Sequence, residues 1–224
     1  MNLLVVGDVH GCLHTFQKLL DEHWNPEEEV LVQLGDLIDR GKHTPGTLRL
    51  VWELKERYGP QAVFLKGNHE YEFVQHIEHG PNLYWLPQGG QDTLDQLEAA
   101  QVKAQEVVNW IGRLPLVWED EYLFISHAGI AAQAEYPFDE GNEQGVLWNR
   151  APLKNLGRLQ IFGHTPCRSG RPEYEEASHF WNIDTGAYRN AALSAIRVTP
   201  FGEVLEIISC PVDARDVEPP AASS

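Results

Sequence analysis

The sequence predicts an α/β fold, one domain with two sheets, and three observations carry that expectation. Short apolar runs of strand length alternate with amphipathic stretches of helix length in the first half. Strand-like runs dominate after Pro115. Five of the apolar runs lead directly into loops dense in Asp, His and Asn. Alternating strand and helix patterns imply βαβ units and mainly parallel pairing, and the loops that follow such strands gather at one edge of a sheet.

Taken in order, Leu3–Val6 is the first strand and runs into Gly7-Asp8-Val9-His10-Gly11. Over Cys12 to Trp24, Leu13, Phe16, Leu19 and Leu20 fall at helical spacing and predict one apolar face. Val30–Val32 is the second strand and leads to Gly35-Asp36-Leu37-Ile38-Asp39-Arg40-Gly41. Thr44-Pro45 starts the next helix, with Thr as N-cap; Leu48, Val51, Trp52 and Leu54 are its inner face, and Gly59-Pro60 ends it. Ala62–Leu65 is the third strand, followed by Gly67-Asn68-His69-Glu70.

Residues 71–112 read as a helical insertion over the site, with a loop at Tyr84–Gly90 and a further helix over Gln101–Gly112 that turns Val107, Val108 and Ile111 inward. Strands are then expected at Leu116–Trp118, Tyr122–Ile125, Leu159–Phe162, Phe180–Ile183, Ala192–Thr199 and Glu203–Ile208, the last two as an antiparallel hairpin. The domain is expected to span 1–210. Residues 211–224, made of Pro, Ala, Ser and charges, read as a mobile tail.

The bulk composition bounds the function. A chain of 224 residues with 42% hydrophobic residues and seven tryptophans can bury a real core. Its net charge of −16 makes it a poor partner for nucleic acid or an anionic membrane. Cys12, Cys167 and Cys210 are odd in number and form no CxxC pair, which argues against a disulfide framework and for a reducing cytoplasm. No stretch has the length of a membrane span, and the N-terminal apolar run reaches Asp8 too soon for a signal peptide.

Five strand-then-ligand loops argue for a metal-dependent hydrolase. Asp8 and His10 are two apart, so in an extended loop their side chains share a side and can grip one ion. A carboxylate with an imidazole suits Mn²⁺, with Fe or Zn²⁺ as alternatives, better than Ca²⁺ or Mg²⁺. Asp36 has two oxygens and can bridge two cations, while Asn68, His127 and His164 complete a second site. Two divalent ions about 3.5–4 Å apart can clamp a phosphate and activate water between them. His69 is the candidate general acid, Asp39 the group that orients it, and Arg40 and Arg150 the groups that neutralise phosphate oxygens. Asp184 either orients a ligand histidine or caps a turn. His14, His23, His43, His76, His79 and His179 read as surface or packing residues.

Gly7–Gly11, Gly35–Gly41 and Gly67–Glu70 resemble the three signature motifs of the phosphoprotein phosphatase (PPP) family of calcineurin-like metallophosphoesterases. His127 in His-Ala-Gly and His164 in Gly-His-Thr match its later ligand histidines, and Leu147-Trp148-Asn149-Arg150 resembles the segment that carries its second phosphate-binding arginine. Trp85–Gly90 and Thr93-Leu94 also resemble a family stretch, so the likeness extends from Asn2 to about Ala187. It implies a four-layer α/β/β/α sandwich of two mixed β-sheets flanked by helices, and hydrolysis by direct attack of metal-bridging hydroxide. The implied substrates are phosphomonoesters: protein Ser/Thr phosphate, or Tyr phosphate, or small phosphoesters. The compact length and the Asn182–Ala187 segment are more similar to bacterial and phage members than to eukaryotic catalytic subunits. Two further readings stay open. One is a dinucleoside polyphosphate (diadenosine tetraphosphate) hydrolase on the same scaffold; the other is a pseudophosphatase that only binds.

Overall fold

In the computed structural model, which describes residues 1–217, the alternation of the first strand decides the layering. Successive side chains of a strand point to opposite faces. In β1 (Asn2–Val6), Leu4 and Val6 join a core shared with the helices, whereas Leu3 and Val5 join a second core between the two sheets. β1 pairs in parallel with β2 (Glu29–Gln33), which pairs in parallel with β3 (Ala62–Phe64). In the register, Leu3 lies opposite Val30 and Val5 opposite Val32, so the apolar residues of each face line up.

The helices between these strands cover the outer face of this sheet. In α1 (Leu13–His23), Phe16, Leu19 and Leu20 are buried at the predicted spacing, each burial stabilising by about 2 kcal/mol. In α2 (Thr44–Tyr58), Leu48 and Val51 are buried. Thr44 is not the N-cap: the helix begins on it, His43 holds the cap position, and the Thr44 hydroxyl is buried without a partner. Residues 71–112 comprise most of α3 (Asn68–His79), a 3₁₀ turn at Leu86–Gln88, α4 (Gly90–Ala99) and α5 (Ala104–Ile111). α5 starts later than its periodicity suggested because Gln101 sits in the left-handed region.

The second sheet is assembled from β4 (Val117–Glu119), β5 (Leu123–Ser126), β6 (Leu159–Phe162), β7 (Glu173–Glu175) and β8 (Phe180–Asn182) in the order β4-β5-β6-β8-β7. β5, β6 and β8 are parallel; β4 and β7 flank them antiparallel. β7 is an exposed, charged three-residue strand, which is why its apolar pattern did not announce it. The chain then returns to the first sheet with the expected hairpin, β9 (Ala192–Val198) and β10 (Val204–Pro211), giving the order β10-β9-β1-β2-β3. The molecule is thus two mixed five-stranded sheets packed face to face, with helices outside. Between β5 and β6, residues 127–158 form turns that lie on the second sheet, where Gln160 bonds the backbone of Ile130 and Lys154.

The expected tail starts too early. Pro211 is still paired in β10, and Ala214–Val217 forms a short helix, α6, whose Asp216 is buried. The Asp216 carboxylate accepts hydrogen bonds from the backbone N–H groups of His14 and Thr15 and from the Thr15 hydroxyl. It therefore caps the N-terminus of α1 from across the chain, a contribution of about 1 kcal/mol. The rest of that expectation, 218–224, lies outside the described residues. Among the described residues no helix is long and apolar enough to cross a membrane.

Candidate active site

Six parallel strands end at one edge of the molecule, and the loops behind five of them were legible as ligand loops; the sixth, behind β8, brings Asp184. Backbone hydrogen bonds lock the first two loops together: Val9 and His10 N–H donate to the Asp36 carbonyl, and Gly11 N–H donates to that of Leu37. Glu70 joins the third loop to the second. Its buried carboxylate accepts from the backbone N–H groups of Asp36, Leu37, Ile38 and Gly67. The second and third loops then approach so closely that a Cβ on Gly35 would lie 2.4 Å from the Gly67 nitrogen. Burial and the nearby Asp36 charge push the Glu70 pKa up to about 7.

Among the described residues nine non-glycine residues have positive φ, and five belong to the predicted site: His10, Asp36, Asp39, Arg40 and His164. Each such residue costs of order 1 kcal/mol or more, and such strain clusters where geometry serves function.

Around Asp36 the side chains form two groups of close donors, His10–Asp36–His69 and Asp36–His127–His164. In the second group His127 Nδ1 donates to the Leu34 carbonyl at 2.9 Å, so its Nε2 carries a lone pair when neutral. That Nε2 lies 3.0 Å from Asn68 Oδ1, 3.1 Å from His164 Nδ1 and 3.5 Å from Asp36 Oδ1, while Asn68 Oδ1 is 2.8 Å from His164 Nδ1. Lone-pair donors converge here, the arrangement that a cation satisfies and that protons satisfy poorly. In the first group His10 Nδ1 donates to the Ile38 carbonyl at 2.9 Å, leaving Nε2 3.3 Å from Asp36 Oδ2. Here Arg40 donates to the same Nε2 at 3.1 Å, and His69 Nε2 is 4.0 Å from Asp36 Oδ2. The donor set, imidazole nitrogens with carboxylate and amide oxygens, fits Mn²⁺, Fe or Zn²⁺.

Asp8 lies beside both groups but outside each. Its carboxylate accepts from His164 N–H at 3.0 Å, and Gly163 is a glycine because a Cβ there would fall 2.0 Å from Asp8 Oδ1. Burial, and then the charges of Asp184 and Asp36, hold its pKa well above the usual range. Asp184 closes a turn by accepting from Gly186 N–H; no histidine is among its partners, and burial raises its pKa to about 6. Three carboxylates thus crowd one end of the site, which favours a cation there.

The histidines divide by charge preference. Burial lowers the pKa of His10, His127 and His164, so they stay neutral, as ligands must. Burial acts on His69 too, but Asp36 and the bond to Asp39 outweigh it and raise its pKa. That bond, His69 Nδ1 to Asp39 Oδ2, is 2.6 Å long. Asp39 is held by two further donors, Trp85 Nε1 at 2.5 Å and Thr93 Oγ1 at 2.6 Å. Both come from the 71–112 stretch. Burial and the Asp36 charge would act oppositely on Asp36's own histidines, which together pull its carboxylate well below its usual range despite its burial.

The two arginines differ. Arg40 is half-buried, bonded to His10 and stacked over the Tyr188 ring at 4.6 Å. Arg150 is exposed and held by one bond, to Thr165 Oγ1 at 2.7 Å, yet its charge is felt by His127 and His164. Sequence reasoning left Glu70, Glu72, Trp85, Thr93 and Tyr188 without roles. Glu70 had a signal, being three residues after Gly67 at the head of a helix, the spacing of a capping box. Trp85, Thr93 and Tyr188 are brought in by tertiary packing. A third group, His14, His43 and Asp216, lies apart, where Asp216 is already engaged in capping α1. All three cysteines are free and buried, and burial pushes Cys12 and Cys167 up to about 12, so they pack as neutral thiols.

A family model described as calcineurin-like phosphoesterase matches residues 1–186. Serine/threonine-protein phosphatase 1 of Salmonella typhimurium (strain LT2) is 33% identical over 209 residues, covering 87% of this chain and 90% of that one. A bis(5'-nucleosyl)-tetraphosphatase (asymmetrical) of Bacillus thuringiensis is 27% identical over 225 residues, covering 86% and 89%. Among solved structures, a protein serine/threonine phosphatase of Saccharomyces cerevisiae superposes with a TM-score of 0.67 at 17% identity, covering 99% of this chain and 82% of that one.

Proposed function

The chain belongs to the PPP family of calcineurin-like metallophosphoesterases, and we propose that within it this protein hydrolyses phosphomonoesters, with phosphoserine and phosphothreonine of proteins as the substrate class. The observation that carries the reading is the buried His69–Asp39 pair set beside two donor groups that share Asp36. Two divalent cations, when bound, would supply neutralisation of the phosphate charge and a lowered pKa for the attacking water.

The chain's own residues would do the rest. His127, His164 and Asn68 would hold one ion and His10 the other, joined by Asp8, which lies beside that group, and Asp36 would serve both. Mn²⁺ is the favoured metal, with Fe or Zn²⁺ as alternatives. Arg40 and Arg150 would bind the non-bridging phosphate oxygens, their guanidinium groups giving paired bonds that an ammonium cannot. His69, its Nδ1 fixed on Asp39, presents Nε2 toward the reacting side and gives a proton to the departing alkoxide. Trp85 donates to the same Asp39 oxygen as the imidazole and Thr93 to the other, so that the carboxylate is held from turning away from His69. Filled positions of this kind support an enzyme over a pseudophosphatase.

A second reading is hydrolysis of dinucleoside polyphosphates, favoured by the similarity to the tetraphosphatase relative. A panel of phosphopeptides, nucleotides and diadenosine tetraphosphate, assayed with Mn²⁺ and compared by kcat/KM, tests both. Phosphopeptides are expected to lead. Faster cleavage of diadenosine tetraphosphate than of any phosphomonoester overturns the first reading.

A further inference from the structure

One buried carboxylate near the reacting centre has no task in the chemistry above. Glu72 is only 4% exposed, and its Oε2 has no hydrogen-bond partner among the described residues. It stands on α3 one turn beyond His69, so its side chain rises on the same helix face as the candidate acid. It lines a cleft of about 580 Å³ together with Glu143, Tyr84, Gln144, Trp148 and Arg150. The cleft is thus walled by a residue of the helix that carries the candidate acid and by Arg150, the candidate phosphate-binding arginine.

An unpaired buried carboxylate costs several kcal/mol unless something pairs with it. Among the described residues no Lys, Arg or His forms an ion pair with Glu72 or Glu143: His69 and Arg40 act on Glu72 only from beyond ion-pair distance, Arg150 shares the cleft without reaching either carboxylate, and Lys66 is committed to Glu140 at 2.7 Å. On the other side of Arg150, a cleft of about 380 Å³ carries Glu173 and Glu175, again with Arg150 as its cation. A phosphate at Arg150 is thus flanked by carboxylates on both sides. Such a surface repels a substrate that continues as polyphosphate and attracts one whose neighbouring groups are positive.

Building on the phosphatase reading, we propose that Glu72 is a recognition point for a cationic side chain of the substrate, so that the preferred substrate is a phosphoserine or phosphothreonine peptide with Arg or Lys beside the phosphorylated residue. Tyr84, 75% exposed at the rim, offers a ring for the aliphatic stem or guanidinium of that side chain.

The test uses phosphoserine peptides that differ only in having Arg, Ala or Glu on the flanking positions, with p-nitrophenyl phosphate as an internal reference. Wild-type protein with Mn²⁺ is expected to favour the Arg over the Glu peptide roughly tenfold in kcat/KM at low salt, less as salt rises. Glu72→Gln, which keeps size, is expected to reduce that ratio to about threefold or less, and Glu143→Gln to reduce it by a smaller factor. Because the readout is a ratio within each variant, a general loss of activity cancels. Equal kcat/KM for Arg and Glu peptides in the wild type overturns the proposal, as does a ratio untouched by Glu72→Gln, or diadenosine tetraphosphate outpacing the Arg peptide. Fluorescence anisotropy with the same peptides needs no turnover. If no phosphomonoester is cleaved, the phosphatase reading fails on its own, and equal affinity for Arg and Glu peptides then overturns the recognition role separately.

Discussion

Around Asp36, the donors supplied largely by the second sheet sit closer together than those supplied by the first. Asn68, His127 and His164 approach one another within 2.8–3.1 Å, and among the described residues no cationic side chain bonds to them, Arg150 acting only through its charge. On the other side, His10 stands 3.3 Å from Asp36, its free nitrogen takes a bond from Arg40, and the third close donor is the candidate acid His69. One half of the site is organised as a cage for an ion. The other would be shared among an ion, the candidate phosphate-binding Arg40 and the candidate proton donor His69. Rigidity on one side and shared use on the other is what a hydrolase needs if one ion is to stay and the second region is to rearrange with substrate.

Removing the residue common to both halves should have the largest effect. Asp36→Asn is expected to lower kcat with p-nitrophenyl phosphate and Mn²⁺ by roughly 10³-fold, about 4 kcal/mol, and to abolish both phases of Mn²⁺ binding in calorimetry. Full activity in that variant breaks the picture of a shared ligand.

Next comes the acid. Asp39→Asn is expected to lower kcat by about 10²-fold with alkyl phosphates and far less with p-nitrophenyl phosphate, whose leaving group needs little protonation. The sign of its pH effect follows from the pair. His69 must be protonated to act, and its raised pKa keeps it so to higher pH. Without the Asp39 charge that pKa falls, so activity should be lost at lower pH than in the wild type. An unmoved alkaline limb removes Asp39 from the role.

The comparison itself is sharpened by two ligand variants. His127→Asn is expected to weaken the tighter Mn²⁺ phase, and His10→Asn the looser one, each by about 10–100-fold in Kd. The reverse assignment would show that spacing does not predict affinity here. The smallest effect belongs to the exposed arginine. Arg150→Ala, losing a group held by a single bond to Thr165, should raise KM by about tenfold with kcat little changed, whereas Arg40→Ala should lower kcat as well.

Much of this was legible beforehand because ligand loops sit directly behind strands, and strands are marked by apolar runs. Asp36, Asn68, His127 and His164 come from distant stretches, yet each follows its strand by one to four residues, so parallel pairing within each sheet and the packing of the two sheets bring them together. The residues that hold the acid were not legible in this way. Trp85 and Thr93 lie in a stretch without readable strands, and nothing local in them says that an indole N–H and a hydroxyl will meet Asp39. Asp216 was misread for a related reason. A tail of Pro, Ala and charges looks unpacked until the buried Asp216 carboxylate is seen on the open end of α1.

The bond from Trp85 to Asp39 has an optical consequence. The indole is fully buried, packed against Phe73 and His76, and shares a carboxylate oxygen with the imidazole of His69. Any change in the charge of that imidazole alters the field along the indole N–H, and with it the emission and the ¹⁵N resonance of this one tryptophan. The indole ¹⁵N resonance, separable from those of the other six tryptophans, is therefore a built-in reporter on the candidate proton donor, readable without substrate.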